Sequence, residues 1–295
     1  MDLLLSPQLL ASALVLGTLY ALLALGLNLI YGTMRLLNIA HGEIVMIGGY
    51  VVYWASTLLS LHPFIATIAA ALGAALLGVA LFGSVLRPML RSGELMARVE
   101  ANSLLIFFGV SVILQNLAAL AFTASPRGIS FLDEIVEIGT LRIGADRLVV
   151  IIVGLAACFG CLALFRLTTL GLAIRAIIQQ RDAAALVGID IARTNMAVFA
   201  LGFGVAGLAG GLVAMIEQVS PFMGFPYTIA AFIVIILGGL GNLTGSLVGG
   251  LLLGVVETYG VALTSASYRS ILLYGVFIAI LLIRPEGLFG KRRQR

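Results

Sequence analysis

Charge is scarce in this 295-residue chain: Asp, Glu, Lys and Arg together make up 10% of it, against about 25% in soluble domains, which must solvate a surface. A soluble domain with a buried core is excluded. Lysine is almost missing, the single one being Lys291, so a phosphate-binding loop of the form G-x-x-x-x-G-K-[ST] cannot exist in this chain. Histidine occurs twice, at His41 and His62. His41 and Glu43 are two apart and diverge on a helix, and His62 precedes Pro63 at an expected loop, which leaves too little for a metal centre. No metal ligands and no catalytic residues are expected. Cys158 and Cys161 have C-x-x-C spacing but lie inside an apolar run, where a redox pair lacks water and thiol partners; they are read as packing residues. The N-terminus has Asp2 and no basic residue before Arg35. It therefore lacks the basic region of a cleaved signal peptide, and the first apolar run is expected to stay in the mature protein.

What the chain has in abundance is apolar side chains, 61% of residues, with a mean hydropathy of +1.17. These values describe an integral membrane protein. At about 20 residues per crossing, apolar runs fall near 9–31, 36–59, 64–86, 103–122, 148–167, 195–216, 227–241, 245–262 and 270–283. The stretch from Tyr227 to Ala262 is too long for one crossing and is interrupted by Gly238-Gly-Leu-Gly-Asn-Leu-Thr-Gly245. The expected fold is an all-α integral membrane protein, one domain over 1–295, with eight or nine transmembrane helices and broken or re-entrant segments near 28–43 and 238–245. Nine crossings with the C-terminus inside would put the N-terminus outside; eight would put both inside.

Charge asymmetry orients the chain. Arg87, Arg91 and Arg98 fall in one connection, Arg166, Arg175, Arg181 and Arg193 around another, and Lys291, Arg292, Arg293 and Arg295 at the end, so these regions are expected in the cytoplasm. The connection of about 124–146 carries Asp133, Glu134, Glu137 and Asp146 against Arg127 and Arg142 and belongs outside, in the periplasm. Alternation over Ile135 to Ile143 suggests a small hairpin there. The cytoplasmic connection of about 168–192 contains a polar, helix-forming island from Thr169 to Gly188. Arg175, Gln179, Gln180, Arg181 and Asp182 are each costly in hydrocarbon, whereas Ala176, Ile177, Ala184 and Leu186 are available for packing. A short amphipathic helix of this kind is what a membrane subunit needs to grip a soluble partner.

Two places combine glycine and polar residues at membrane depth. Asn28, Asn38, His41 and Glu43 bring four hydrogen-bonding side chains into one apolar neighbourhood. Irregular backbone inside a bilayer must be buried by protein or line a watery cavity, and broken helices are where a midplane pathway is expected, so a polar break beside a pathway is preferred here to a packing role. The second place contains Gly239, Gly241 and Asn242. Gly241, Gly245 and Gly249, like Gly250 and Gly254, recur every four residues, and close helix packing is their first reading, a pathway lining their second. Glu217 sits at a span boundary. Glu257 is deeper, positioned to pair with a cation from another helix, to pack against a partner subunit or, as a weaker alternative, to take part in proton coupling.

Taken together, these residues resemble the permeases of bacterial branched-chain amino-acid ABC importers, the LivH type of the LivH/LivM superfamily. The resemblance rests on Tyr20-Ala-Leu-Leu-Ala-Leu-Gly-Leu-Asn-Leu-Ile-Tyr-Gly32 with Leu37-Asn-Ile-Ala-His-Gly-Glu-Ile-Val-Met-Ile-Gly-Gly-Tyr50, on Gly171-Leu-Ala-Ile-Arg-Ala176 with Ala183-Ala-Ala-Leu-Val-Gly-Ile189, on Phe199 and Ala206-Gly-Leu-Ala-Gly210, on the Gly238 to Gly254 stretch and on Arg284-Pro-Glu-Gly-Leu-Phe289. It implies a bacterial inner-membrane subunit that moves leucine, isoleucine and valine inward by alternating access. Its implied partners are a second homologous permease, two cytoplasmic ABC ATPase subunits and a periplasmic substrate-binding protein. This chain would bind no cofactor, ATP and Mg being used by the ATPases, and nucleic acid is not among its partners; the lipid bilayer is. Arg175 through Gly188, including Ala184, would form a coupling helix seated in an ATPase groove, and the pathway would involve Asn28, Asn38, His41, Glu43, Gly239, Gly241 and Asn242. Urea and short-chain amide permeases of the same superfamily have similar openings. An ion-coupled secondary transporter would instead rely on His41, Glu43 and Glu257, a membrane scaffold would have no use for the polar breaks, and an intramembrane enzyme ranks last.

Overall fold

In a computed structural model, the chain is described over residues 6–89, 93–132, 134–139, 141–284 and 287–289, with the backbone alone described for 93–101 and 138. Arg91, Asp133 and the basic residues 291–295 lie outside the described residues, as do the side chain of Arg98 and residues 285 and 286. The helices are α1 (Pro7–Met34), α2 (His41–Leu59), α3 (Pro63–Leu81), α4 (Arg87–Met89), α5 (Gly93–Phe122), α6 (Ala145–Leu167), α7 (Thr169–Gln179), α8 (Arg181–Leu186), α9 (Ile191–Ile216), α10 (Gly224–Gly238), α11 (Leu243–Leu263) and α12 (Arg269–Ile283). Local sequence sets several boundaries. Ser6 caps α1 by accepting a hydrogen bond from Leu9 N, with Pro7 in the first turn, where its missing N–H costs nothing. Asp190 caps α9 through Arg193 N at 3.0 Å. Between α3 and α4 the backbone widens into a π turn, Phe82–Leu86, ahead of Pro88, which has no N–H to donate.

The surface is more apolar than a soluble protein tolerates. On α3, Ile65, Ile68, Leu72, Leu76 and Val79 recur at three- and four-residue steps and all are exposed, forming an outward stripe with the periodicity a soluble helix turns toward its core. None of the residues of α12 is buried. Such faces belong in lipid. The protein core lies instead around α1, α2 and α9, whose apolar windows are the most buried; α1 packs on α11 and α9, and α9 on α2 and α3. Among the described residues, eight helices are long and apolar enough to cross a membrane. The ninth expected crossing is α10, an apolar helix of 15 residues, only about 22 Å long against a hydrocarbon core of about 30 Å. The fold is thus that of an all-α integral membrane protein, with eight full-length spans and one short one among the described residues.

Two ends can be told apart. Leu9 and Ser12 of α1 share a cavity with Arg147, Glu217, Ala266 and Arg269 at one end, where the hairpin also sits. At the other end, Arg166, Arg175, Leu240 and Phe289 share a cavity. Successive crossings alternate between these ends only when α10 is counted. The expected hairpin is present: β1 (Ile135–Ile138) pairs antiparallel with β2 (Leu141–Gly144), placing Glu137 opposite Arg142. Their ion pair, at 2.9 Å between well-exposed side chains, adds little to stability.

Glycine spacing on α11 serves close packing. A methyl group at Gly250 would overlap the backbone of Ala21, and one at Gly254 the backbone of Gly17, so the four-residue repeat lets α11 lie directly on α1.

Candidate functional site

The first break is shorter than the sequence suggested. α1 runs without interruption through Asn28 to Met34, and the non-helical stretch is confined to residues 35–40. It opens at Arg35, whose φ of 53° is left-handed and whose N–H bonds Tyr31 O at 2.7 Å. The chain then folds back into the protein. His41, the first residue of α2, is level with Leu23, its Nε2 lying 3.2 Å from Leu23 O; that is about three helical turns back from the end of α1. The start of α2 is therefore buried, and its exposed backbone donors must be satisfied internally. Thr228 of α10 supplies one acceptor, taking Gly42 N at 2.9 Å, and its hydroxyl lies 3.0 Å from Ile39 O. Ser103 accepts from Leu37 N at 3.1 Å.

Along this re-entrant segment the structure leaves polar atoms unpaired. Asn38, His41 and Glu43 are inaccessible, yet both amide atoms of Asn38, Nδ1 of His41 and Oε2 of Glu43 make no hydrogen bond. The other Glu43 oxygen accepts from Ser111 at 3.1 Å. Buried polar groups are nearly always paired, and stranding each one costs about 1–3 kcal/mol, so three such residues on one short segment mark a place where structure has been sacrificed. The first turn of α10 closes over them. A methyl group at Gly42 would overlap Gly224 O and Thr228 Oγ1, and one at Gly224 would overlap the Glu43 carboxylate. Gly42→Ala is accordingly expected to separate α2 from α10 and lower the yield of folded protein several-fold, measured by size-exclusion chromatography in detergent.

Asn28 belongs elsewhere. Its Nδ2 donates to Ser246 Oγ at 2.7 Å, Asn242 O at 3.1 Å and Gly239 O at 3.4 Å, and its Oδ1 accepts from Gly241 N at 2.7 Å. Asn28 is thus joined to Gly239, Gly241 and Asn242, and shares no hydrogen bond with Asn38, His41 or Glu43. The break between α10 and α11 needs this support because Gly239 and Gly241 have φ of 92° and 80°, conformations open to glycine. Asn242 then caps α11 through Gly245 N at 3.0 Å. Ser246, Thr228 and Ser111 were not singled out from the sequence; a lone hydroxyl in an apolar helix carries no periodic signal.

The polar island forms two helices in place of the single one expected from Arg175 to Gly188. α7 begins at Thr168, whose hydroxyl accepts from Gly171 N at 3.1 Å, and stops at Gln180, which is extended (φ −157°, ψ 106°). α8 then runs only to Leu186, and Gly188 turns the chain with φ 87°. Ile174, Ile177 and Ala184 are buried, while Gln179, Gln180, Asp182 and Gly188 are exposed. Arg175 folds inward, donating to Phe165 O with its guanidinium 5.5 Å from the Phe165 ring. Arg181 is half-buried. Leu186, one of the residues available for packing in a helix that grips a soluble partner, is 88% exposed, and Val187 beside it 77%.

α7 reaches the second break. A methyl group at Gly32 would touch both Ile178 of α7 and the Gly241 Cα, each at 3.3 Å. A cavity of about 950 Å³ is lined jointly by Arg175, Ile178 and Gln179 and by Gly241, Asn242 and Phe289. The C-terminal strap closes its rim, Leu288 N bonding Leu237 O at 2.7 Å and Asn242 Nδ2 bonding Phe289 O at 3.1 Å. At the opposite end, Glu257 pairs with a cation from another helix, as anticipated: Arg269 bonds one carboxylate oxygen and Tyr20 the other, the latter at 2.7 Å. Glu217 ends α9 and accepts from Tyr227 at 2.8 Å.

A protein-family model described as branched-chain amino acid transport system / permease component matches residues 9–281. The chain belongs to this permease family. It is 29% identical to the high-affinity branched-chain amino acid transport system permease protein BraD of Pseudomonas aeruginosa, covering 96% of this chain and 95% of that protein. It is 30% identical to the protein LivH of Escherichia coli K12, named in the same way, with 94% and 92% covered, and 27% identical to LivM of that organism, another permease protein so named, with 93% and 68% covered. A solved structure of PsaBC from Streptococcus pneumoniae in complex with Fab has a similar fold, with a TM-score of 0.52 and 14% identity over 97% of this chain and 95% of that one. The family places the two breaks and the polar helices in a multi-pass transport permease.

Proposed function

We propose that the chain is the translocating subunit of an ATP-driven importer in the bacterial inner membrane, taking leucine, isoleucine or valine from periplasm to cytoplasm. In this reading the chain does no chemistry and holds no cofactor; ATP and Mg are used by two ABC ATPase subunits on the cytoplasmic side. The α7–α8 end and the C-terminus face the cytoplasm, by their basic residues, and the hairpin end then faces the periplasm and a substrate-binding protein. A second, related permease completes the pathway; that one organism has both LivH and LivM among the relatives supports such a pair.

The observation that carries this reading is the shared cavity between α7 and the second break. Leu186 and Val187 offer an apolar edge to an ATPase groove, Gln179, Gln180, Arg181 and Asp182 its polar flanks, and Gly188 and Arg175 set the angle at which it protrudes. Movement of α7 is felt at Gly32 and Gly241 through Ile178, so closure of the ATPases would bias the break between two arrangements, as a two-state element requires. Asn28, Gly239, Gly241 and Asn242 then act as an inner hinge. Asn38, His41 and Glu43, with unpaired atoms in an apolar surround, supply the few polar contacts a branched-chain zwitterion needs on its way through. Reconstitution tests the class directly. Vesicles containing the chain with its sister permease, ATPases and binding protein should accumulate leucine only with ATP, and vesicles containing the chain alone should not. Leucine uptake by the chain alone down an imposed ion gradient would mean a secondary transporter.

A further inference from the structure

At the hairpin end a cavity of about 560 Å³ is lined jointly by α1, α6, the end of α9, α11 and α12. Three of its charged residues stand at helix ends: Arg147 is in the first turn of α6, Glu217 follows the last turn of α9, and Arg269 opens α12. From there the lining runs inward along α1 through Leu16 to Leu19, the latter about 18 Å along the helix axis from Pro7. Val261 of α11 adds to this apolar wall. The adjoining faces are lipid-facing: Leu10 and Leu14 on α1 and Leu252, Val255 and Val256 on α11 are exposed, and α12 buries none of its residues. The cavity is therefore polar at the membrane surface and apolar toward the bilayer interior.

The charges are not cancelled within the protein. Glu257, 2% exposed, is satisfied by Arg269 on one oxygen and Tyr20 on the other. Arg269 uses Nε there and Nη2 on the Tyr20 hydroxyl at 3.3 Å, which leaves Nη1, and its side chain is 47% exposed. Arg147 is exposed and has no hydrogen bond or ion pair among the described residues. Glu217, exposed as well, accepts from Tyr227 with Oε2 and keeps Oε1. Guanidinium donors of this kind match the oxygens of a phosphate. A purely anionic ligand would meet the Glu217 carboxylate, whereas one that also carries an ammonium turns that repulsion into a bond. We propose that the cavity holds a phospholipid of the leaflet at the hairpin end whose headgroup carries a primary ammonium, with the phosphate on Arg147 and Arg269, the ammonium on Glu217 and an acyl chain along Leu16, Leu19 and Val261. Bound there, the lipid bridges α6 and α12 across α1.

Native mass spectrometry of the delipidated full chain in detergent, titrated separately with phosphatidylethanolamine, phosphatidylcholine and phosphatidylglycerol, tests this. Phosphatidylethanolamine should bind tightest, because the quaternary ammonium of phosphatidylcholine has no N–H for Glu217 and phosphatidylglycerol has no ammonium. Arg147→Gln should weaken phosphatidylethanolamine and phosphatidylglycerol alike by about fivefold, the size expected of one half-exposed charge pair. Glu217→Gln, whose amide oxygen can still accept from Tyr227, should weaken phosphatidylethanolamine alone and leave phosphatidylglycerol unchanged or tighter. Both residues are exposed, so an unfolding midpoint equal to the parent's in detergent shows that each variant is folded. Equal binding of the three lipids would overturn the proposal, as would an undiminished preference for phosphatidylethanolamine in Glu217→Gln or undiminished binding in Arg147→Gln. Displacement of the lipid by excess L-leucine would also overturn it, since the cavity would then be a site for the free zwitterion.

Discussion

Asn28→Leu is expected to lower the thermal unfolding midpoint of the purified protein by about 5–10 °C and to abolish uptake. Four hydrogen bonds radiate from this side chain to Gly239, Gly241, Asn242 and Ser246, and together they fix a backbone stretch that no repeating ladder supports. An interhelical hydrogen bond in a membrane protein contributes roughly 0.6 kcal/mol on average, and leucine would also strand the Gly241 N–H without a partner. A loss of about 2–4 kcal/mol follows. Asn38→Leu provides the contrast. Asn38 is just as inaccessible, but neither of its amide atoms is paired, so an apolar replacement of similar size should leave the midpoint unchanged or raised while leucine uptake falls at least tenfold. If both variants lost stability equally, or if Asn38→Leu transported normally, the division between hinge and pathway would be wrong. Differential scanning fluorimetry with uptake assays on the same preparations decides this.

Leu186→Glu should leave the chain folded and disconnect it from its motor. The side chain is 88% exposed and supports nothing within the chain, so the unfolding midpoint should stay within about 1 °C of the parent, as for surface substitutions in general. In the assembled importer the same residue would be an apolar anchor in the ATPase groove. Burying a carboxylate there costs at least as much as losing a hot-spot contact, about 2 kcal/mol or more, which is roughly a thirtyfold weaker grip on the ATPases. Substrate-stimulated ATP hydrolysis and uptake should both collapse. Unimpaired coupling would move the docking edge away from α8.

Much of this was legible in the sequence because a bilayer imposes crude, one-dimensional rules. Run length located the full spans, and paucity of charge fixed the class. The hairpin at Ile135 to Gly144 followed from alternation and a turn, and the cation expected for Glu257 was found in Arg269. What the sequence could not convey is depth. Asn28 and Asn38 look alike in a polar, glycine-containing stretch, yet the fold-back of residues 35–40 sends one to the second break and the other to the start of α2. Helix propensity gave no warning that the island from Thr169 to Gly188 divides at Gln180, since glutamine is a good helix former; packing of Ile174 and Ile177 against the protein overrides it. The hydroxyls of Ser246, Thr228 and Ser111 were hidden because their partners lie far away in the chain.

The claim on which the rest depends is that α7 and α8 project into the cytoplasm and are gripped there. A single cysteine at Gln180, in a chain with Cys158 and Cys161 replaced by alanine, tests it with a membrane-impermeant maleimide. Labelling should occur in inside-out vesicles, be absent in intact spheroplasts, and drop sharply when the ATPase subunits are bound. Labelling from the outside of intact spheroplasts would contradict the orientation, and equal labelling with and without the ATPases would contradict the docking.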